Sequence, residues 1–134
     1  MLGEKLGDEQ GRITLRRVLP SGGGGPRVEV CFEGSGKLFG LDITDIGTYW
    51  SVVQPNGLLY GEGQGVIMST QGDIAQWTGA GRGHFTAQGG VSFRGAVYYQ
   101  TSSEKLARLN SVAIVFEHEA GADGSVRTQY WEWK

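Results

Sequence analysis

The chain has 134 residues, with 12 basic and 14 acidic side chains, a net charge of −2 and a single cysteine. One thiol excludes an intramolecular disulfide, and one cysteine with two histidines matches no usual ligand set of a structural zinc site. The mild acidity and the sparse basic residues give no surface that could follow a phosphate backbone, so we expect no nucleic-acid partner. We likewise expect no metal and no cofactor.

The ends and the length of the chain give a second set of expectations. The first ten residues are charged and lack the apolar run of a signal peptide, and no stretch of about eighteen apolar residues could form a membrane-spanning helix. We therefore expect a cytoplasmic protein without membrane contact. The length predicts one domain over residues 1–134, with residues 1–10 loosely ordered and residues 20–26 forming a flexible loop.

Alternation of apolar and polar residues predicts β-strands along most of the chain. In residues 27–33, for example, Val28, Val30 and Phe32 fall on one face. Asn56-Gly57 and Asp123-Gly124 are typical of tight hairpin turns. The strand segments are residues 12–18, 27–33, 37–41, 48–53, 58–70, 73–86, 90–100, 112–119 and 125–133.

Only residues 101–110 have a helical pattern. Thr101 and Glu104 have the spacing of a capping box, and Leu106 and Leu109 are three residues apart. We expect one short helical turn near residues 102–109.

Glycine recurs at every second position in residues 61–65 and again in residues 79–83. A strand face without side chains allows a sheet to curl sharply, or allows a large ring from elsewhere to lie against the backbone. Strong curvature, about eight strands and almost no helix predict an all-β fold, a closed antiparallel barrel rich in meanders, because closure removes exposed strand edges.

The stretch from Gly61 through Trp77 to the Phe-Arg-Gly of residues 93–95 resembles the glycine-rich meander of the allene oxide cyclase and dirigent barrel class. The likeness covers about a third of the chain. It implies a small antiparallel barrel, often trimeric, with an apolar cavity for a lipid-like or phenolic ligand. No set of catalytic residues can be transferred, because no active-site motif of the class matches residue by residue.

Strand periodicity nominates candidate binding residues on two faces. Arg82, His84 and Arg94 would cluster if their strands pair, and could hold a carboxylate or transfer a proton. His118 has the same parity as Ile114 and Phe116, which predicts that it points inward. The candidate ligand-binding residues are Glu62, Trp77, Arg82, His84, Arg94, Tyr98 and His118.

Each candidate also has a structural explanation. The polar face that carries the arginines can simply be the solvated outside of a barrel. His118 lies near a strand end, where its ring can reach water or a carbonyl group. Trp131 and Trp133 share one face of the last strand, and they either fill the barrel interior or form a subunit contact.

Three functional hypotheses follow from this pattern. The first is a barrel that binds an apolar or amphipathic small molecule in its interior. The second is an oligomeric interaction module, a homodimer or homotrimer, whose interior is completely filled. The third is a cofactor-independent cyclase or isomerase, which would need an acid or a base inside the cavity. The presence of an interior cavity separates the first hypothesis from the second.

Overall fold

The computed structural model describes all 134 residues and shows a closed barrel of eight antiparallel strands. Each strand pairs with the next along the chain, and β8 closes the barrel against β1. The predicted barrel is therefore confirmed. The strands are β1 Leu2–Leu19, β2 Arg27–Leu38, β3 Leu41–Val53, β4 Leu59–Ser69, β5 Ile74–Phe85, β6 Val91–Gln100, β7 Ile114–Ala120 and β8 Ser125–Trp133.

The N-terminal residues are strand, which corrects the expected loose order of residues 1–10. β1 begins at Leu2, and its residues 7–12 pair with β2 on one side and with β8 on the other. The residues of this segment are charged because one of its faces meets solvent. Its opposite face contributes the buried side chains of Leu6 and Glu9 to the interior.

The connection between β2 and β3 is a tight turn that the sequence pattern did not reveal. Phe39 and Gly40 both have positive φ values, 52° and 76°, which is the geometry of a two-residue hairpin turn. Phenylalanine is rare in this conformation, so no familiar turn dipeptide marks the position. The predicted segment 37–41 therefore contains the end of β2, this turn and the first residue of β3, and the segment 48–53 is the second half of β3.

A helical element is present in the predicted region, but its bounds and its cap differ from the prediction. The only helical element is a 3-10 turn at Ala107–Ser111, which starts later than the expected turn near residues 102–109. The Thr101 hydroxyl accepts a hydrogen bond from the Ser103 amide and donates one to the Ile74 carbonyl, so Glu104 takes no part in a capping box. Leu106 and Leu109 are almost fully buried and close this end of the barrel, which we call the closed end.

Aromatic rings lie against the glycine faces, as the alternation of glycines predicts. A Cβ atom on Gly47 would lie 2.6 Å from Phe32 and 2.7 Å from Trp77, and one on Gly65 would collide with the same indole. Phe93 similarly packs on Gly83. These glycines let large rings from other strands occupy the interior next to bare backbone.

The two tryptophans at the C-terminus lie outside the barrel. Tyr130 is buried in the interior. Trp131 is half-buried, and Trp133 is 61% exposed. The expectation that these indoles fill the interior is therefore wrong, because inward positions on β8 are taken by Val126, Thr128 and Tyr130. No helix in the structure has the length and apolar character needed to cross a membrane.

Candidate functional site

The barrel interior contains a cavity of about 70 Å³. Glycines of β4 and β5 form one side of the cavity, and rings and small polar groups, mostly from the other strands, form the rest. Bare backbone at Gly61, Gly63, Gly79 and Gly81 leaves this space unfilled. The wall side chains include Phe32, Tyr49, Trp77, Phe93, Val97, Phe116, His118, Thr128 and Tyr130.

His118 is the polar residue of the cavity wall with an unpaired atom. Its Nδ1 atom is 2.7 Å from the Thr128 hydroxyl oxygen, and its ring lies 5.8 Å from the rings of Phe32 and Tyr49. The buried Nε2 atom has no hydrogen-bond partner. Desolvation lowers the pKa of His118 to about 4, only weakly opposed by the charge of Glu119. At neutral pH the ring is therefore uncharged and can accept or donate one further hydrogen bond.

Two carboxyl groups are buried side by side below the cavity. Glu9 of β1 and Asp45 of β3 are 3% and 1% exposed, and no arginine or lysine forms an ion pair with either group. Desolvation raises the pKa of both, and the charge of Asp45 raises that of Glu9 further. Because two buried like charges repel strongly, the pair retains a proton above the pH at which an exposed carboxyl group would lose it.

The carboxyl pair is in contact with the cavity wall through two large side chains. The Trp77 indole Nε1 atom donates a hydrogen bond of 2.9 Å to Asp45 Oδ1, and Tyr130 interacts through its hydroxyl with Glu9. Trp77 and Tyr130 both line the cavity. Burial raises the pKa of Tyr130 well above its ordinary value, so this phenol keeps its proton. The Trp77 indole N–H group and the Tyr130 hydroxyl thus connect the carboxyl pair to the cavity.

Three of the predicted candidates, Glu62, Trp77 and His118, line the cavity, although the side chain of Glu62 is exposed and accepts a hydrogen bond from the Tyr60 hydroxyl. The side chains of Glu62, Arg82, His84, Arg94 and Tyr98 are exposed on the outer face.

The expected arginine pairing does occur on that outer face. Arg82 pairs in register with Arg94, whose guanidinium forms ion pairs with Glu119 at 3.0 Å and Glu117 at 3.7 Å. The solvated-face explanation therefore holds for these residues.

Sequence reasoning missed three of the interior polar groups, Glu9, Asp45 and Tyr49. Glu9 fell in the segment expected to be loosely ordered, and Asp45 fell between two predicted strand segments. The available signal was parity: in a strand that begins at Leu2, Glu9 shares the face of Gly11 and Ile13. The described side chains include no group of three or more histidine, cysteine, aspartate or glutamate residues that could hold a metal ion.

Comparison with known proteins identifies the fold. No protein-family model matches the chain, and no curated protein matches it. Among solved structures, a protein of unknown function from Clostridium acetobutylicum has a TM-score of 0.85 at 13% identity, covering 98% of this chain and 99% of its own. A β-barrel-like protein from Acinetobacter baumannii has a TM-score of 0.84 at 18% identity, covering 100% of this chain and 96% of its own.

An enzyme from Penicillium herquei is similar over 96% of this chain and 92% of its own, with a TM-score of 0.68 and 18% identity. At these identities the three structures show that the fold is shared and nothing more. They support the small-barrel part of the resemblance noted above, and none of the three is described as an allene oxide cyclase or a dirigent protein.

Proposed function

We propose that the barrel binds a small apolar or amphipathic molecule in its interior cavity, beside His118. The observation that carries this proposal is the unpaired Nε2 atom of a deeply buried imidazole in the wall of an otherwise largely apolar cavity. Leaving a buried polar atom unpaired costs about 1–3 kcal/mol. A ligand with one hydrogen-bonding group next to an apolar body would recover this energy.

The size of the cavity limits the part of the ligand that it can hold. Typical sites for drug-sized ligands measure roughly 300–1,000 Å³, and an apolar cavity of about 150 Å³ accepts benzene. The cavity of about 70 Å³ is smaller than either. The ligand would therefore insert one narrow group, and the remainder would extend toward the end of the barrel opposite the closed end, which we call the hairpin end.

A neutral flat probe tests binding directly. Cinnamyl alcohol carries one hydroxyl group on an apolar body, and its binding would shift the ring nitrogen resonances of His118 in a ¹⁵N NMR titration. Val97→Ile places one more methylene in the cavity wall, because Val97 is 3% exposed and faces inward. We expect this variant to bind the probe about tenfold more weakly, equivalent to about 1.4 kcal/mol.

The matched control is Val115→Ile on β7. Val115 has the opposite parity to the buried Ile114 and does not line the cavity. The same added methylene there should leave probe affinity unchanged. Equal affinities for the two variants, or a titration without any change at His118, would contradict binding in the cavity.

The buried carboxyl pair favours a second candidate function, a cofactor-independent cyclase or isomerase. A carboxyl group with a raised pKa holds its proton to a higher pH and can pass it to a bound substrate by way of the Tyr130 hydroxyl, and the neutral His118 can accept one. The enzyme from Penicillium herquei supports this reading by analogy of fold alone.

Exchange of carbon-bound hydrogen in D₂O tests this second function. With 4-phenylbutan-2-one as the probe, we expect the barrel to accelerate exchange of the protons next to the carbonyl group. Glu9→Gln should remove the acceleration because the amide cannot supply a proton to the Tyr130 hydroxyl, which lines the cavity. An unchanged rate in this variant would exclude the carboxyl pair from proton transfer.

A further inference from the structure

A β-bulge in β1 places an arginine on the inner side of the barrel. Ile13 pairs with Phe32 and Leu15 pairs with Cys31, so Thr14 is an extra residue in β1. Strand parity before the bulge puts Glu9, Gly11 and Ile13 inward, and an unbroken strand would continue with Leu15. The bulge instead puts Leu15 outside, 53% exposed, and aligns Arg16 with the buried, inward Val30.

The bulge reverses the usual placement, in which apolar side chains are buried and charged side chains are exposed. A regular strand would have buried the leucine and left the arginine in solvent, which burial of apolar area favours. Bulges are frequent beside functional sites because they re-aim a side chain. The free energy lost by exposing Leu15 is explained if Arg16 binds a ligand on the inner face.

Arg16 lies in the same cross-strand row as the cavity wall. Val30 pairs with Arg16 on one side and with Tyr49 on the other, and Tyr49 lines the cavity and contacts the His118 ring. Burial raises the pKa of Tyr49 to about 12, and the positive charge of Arg16 opposes that rise, so the guanidinium acts on the Tyr49 hydroxyl. The row runs from His118 through Tyr49 to Arg16, toward the hairpin end.

The charge of Arg16 is not neutralised by the protein. The neighbouring Arg17 faces outward and forms an ion pair of 2.9 Å with Glu29. Arg16 takes part in none of the seven ion pairs of the chain, and its side chain is exposed. A guanidinium group presents paired N–H donors whose geometry matches a planar carboxylate.

We propose that the ligand of this barrel carries a carboxylate at one end, which Arg16 binds at the hairpin end, while a narrow hydrogen-bonding group at the other end enters the cavity and pairs with Nε2 of His118. This inference deepens the proposed binding function and rests on it. Arg16 supplies a single positive charge on the inner face, which matches a singly charged group, whereas a doubly charged phosphate would call for additional basic residues there. The ligand class is thus a narrow acid with an apolar body and a second hydrogen-bonding group.

Two probes of nearly equal shape separate this inference from binding itself. 6-Hydroxyhexanoate and 1,6-hexanediol share a narrow apolar chain with a hydroxyl group for His118 and differ mainly in the other end, which is a carboxylate or a second hydroxyl group. We expect wild-type protein to bind 6-hydroxyhexanoate at least about tenfold more tightly, within the range measured for charge-assisted hydrogen bonds. We also expect the preference to fall at about 0.5 M NaCl, because Arg16 is exposed and salt screens exposed charges.

Arg16→Gln and Arg17→Gln form the matched pair of variants. Arg16→Gln should bring the affinity for 6-hydroxyhexanoate down to that for 1,6-hexanediol and leave the diol unaffected, whereas Arg17→Gln should preserve the preference. If both probes bind the wild type equally, or if the two variants behave alike, the role of Arg16 is overturned while the binding function stands. If neither probe shifts the His118 resonances, the binding function fails and the carboxylate inference fails with it.

Discussion

The indole nitrogen of Trp77 donates a 2.9 Å hydrogen bond to Asp45 Oδ1, and so connects β5 to β3 through the interior of the barrel, past the strand that separates them in the sheet. The bond positions the indole, whose ring lies against the backbone of Gly47 and Gly65 and also forms part of the cavity wall. Asp45 therefore supports the site without lining it.

The first prediction concerns Asp45. Asp45→Asn keeps a carbonyl oxygen for the Trp77 N–H group and removes the charge that repels Glu9. We expect its free energy of unfolding at neutral pH to stay within about 1 kcal/mol of wild type or to increase. Asp45→Ala leaves the indole N–H unpaired and opens space in the core, and should lower the free energy of unfolding by about 2–4 kcal/mol. Urea denaturation measures both values, and equal losses in the two variants would show that the hydrogen bond is unimportant.

The second prediction concerns the close approach of rings to glycine. In Gly47→Ala the new methyl group would lie 2.6 Å from the Phe32 ring and 2.7 Å from the Trp77 ring, in a core where neither ring can retreat freely. We expect a loss of about 1–3 kcal/mol in the free energy of unfolding, the usual cost of overpacking.

Gly24→Ala is the control for this substitution. The methyl group there would meet only the Ser21 carbonyl oxygen, at 3.5 Å, in the loop between β1 and β2. We expect an unchanged stability or a small gain, because alanine restricts the unfolded chain. A loss in Gly24→Ala as large as that in Gly47→Ala would indicate that ring contact is not the cause.

The third prediction is a pH dependence that belongs to His118. Its pKa is about 4 in the folded protein against 6.5 for the free side chain, so the folded state favours the neutral ring. The corresponding stability is fully present above pH 6.5 and is lost as the pH falls toward 4, by up to roughly 3 kcal/mol. Glu9 and Asp45 act in the opposite direction, because raised pKa values make protonation favour the folded state.

Paired variants isolate the contribution of His118 from that of the carboxyl groups. The difference in free energy of unfolding between wild type and His118→Gln should shrink as the pH falls from 6.5 to 4. Val115→Ile changes no titratable group, so it should keep a constant difference across the same range. A constant difference for His118→Gln as well would show that the buried ring does not titrate differently in the folded state.

The barrel was predictable because its evidence is local. Period-two alternation, turn dipeptides and alternate glycines each report on neighbouring residues, and together they favour many curved antiparallel strands. The inward direction of His118 followed from the same parity, and the structure confirms it, since the ring is 6% exposed. The positions that escaped prediction lack a local signal: the turn at Phe39 and Gly40 has an unusual residue at positive φ, and the bulge at Thr14 shifts parity without any glycine to mark it.

The sequence by itself determined the strand content, the closed all-β architecture and the bare glycine faces that leave room for rings and a cavity. Only the tertiary structure decided that Glu9 and Asp45 meet, that Arg16 rather than Leu15 is inward, and that Glu62, Arg82, His84, Arg94 and Tyr98 face solvent. The physical reason is that alternation divides a strand into two faces, whereas the pairing register and the direction of closure determine which face is inside and which distant side chains share it.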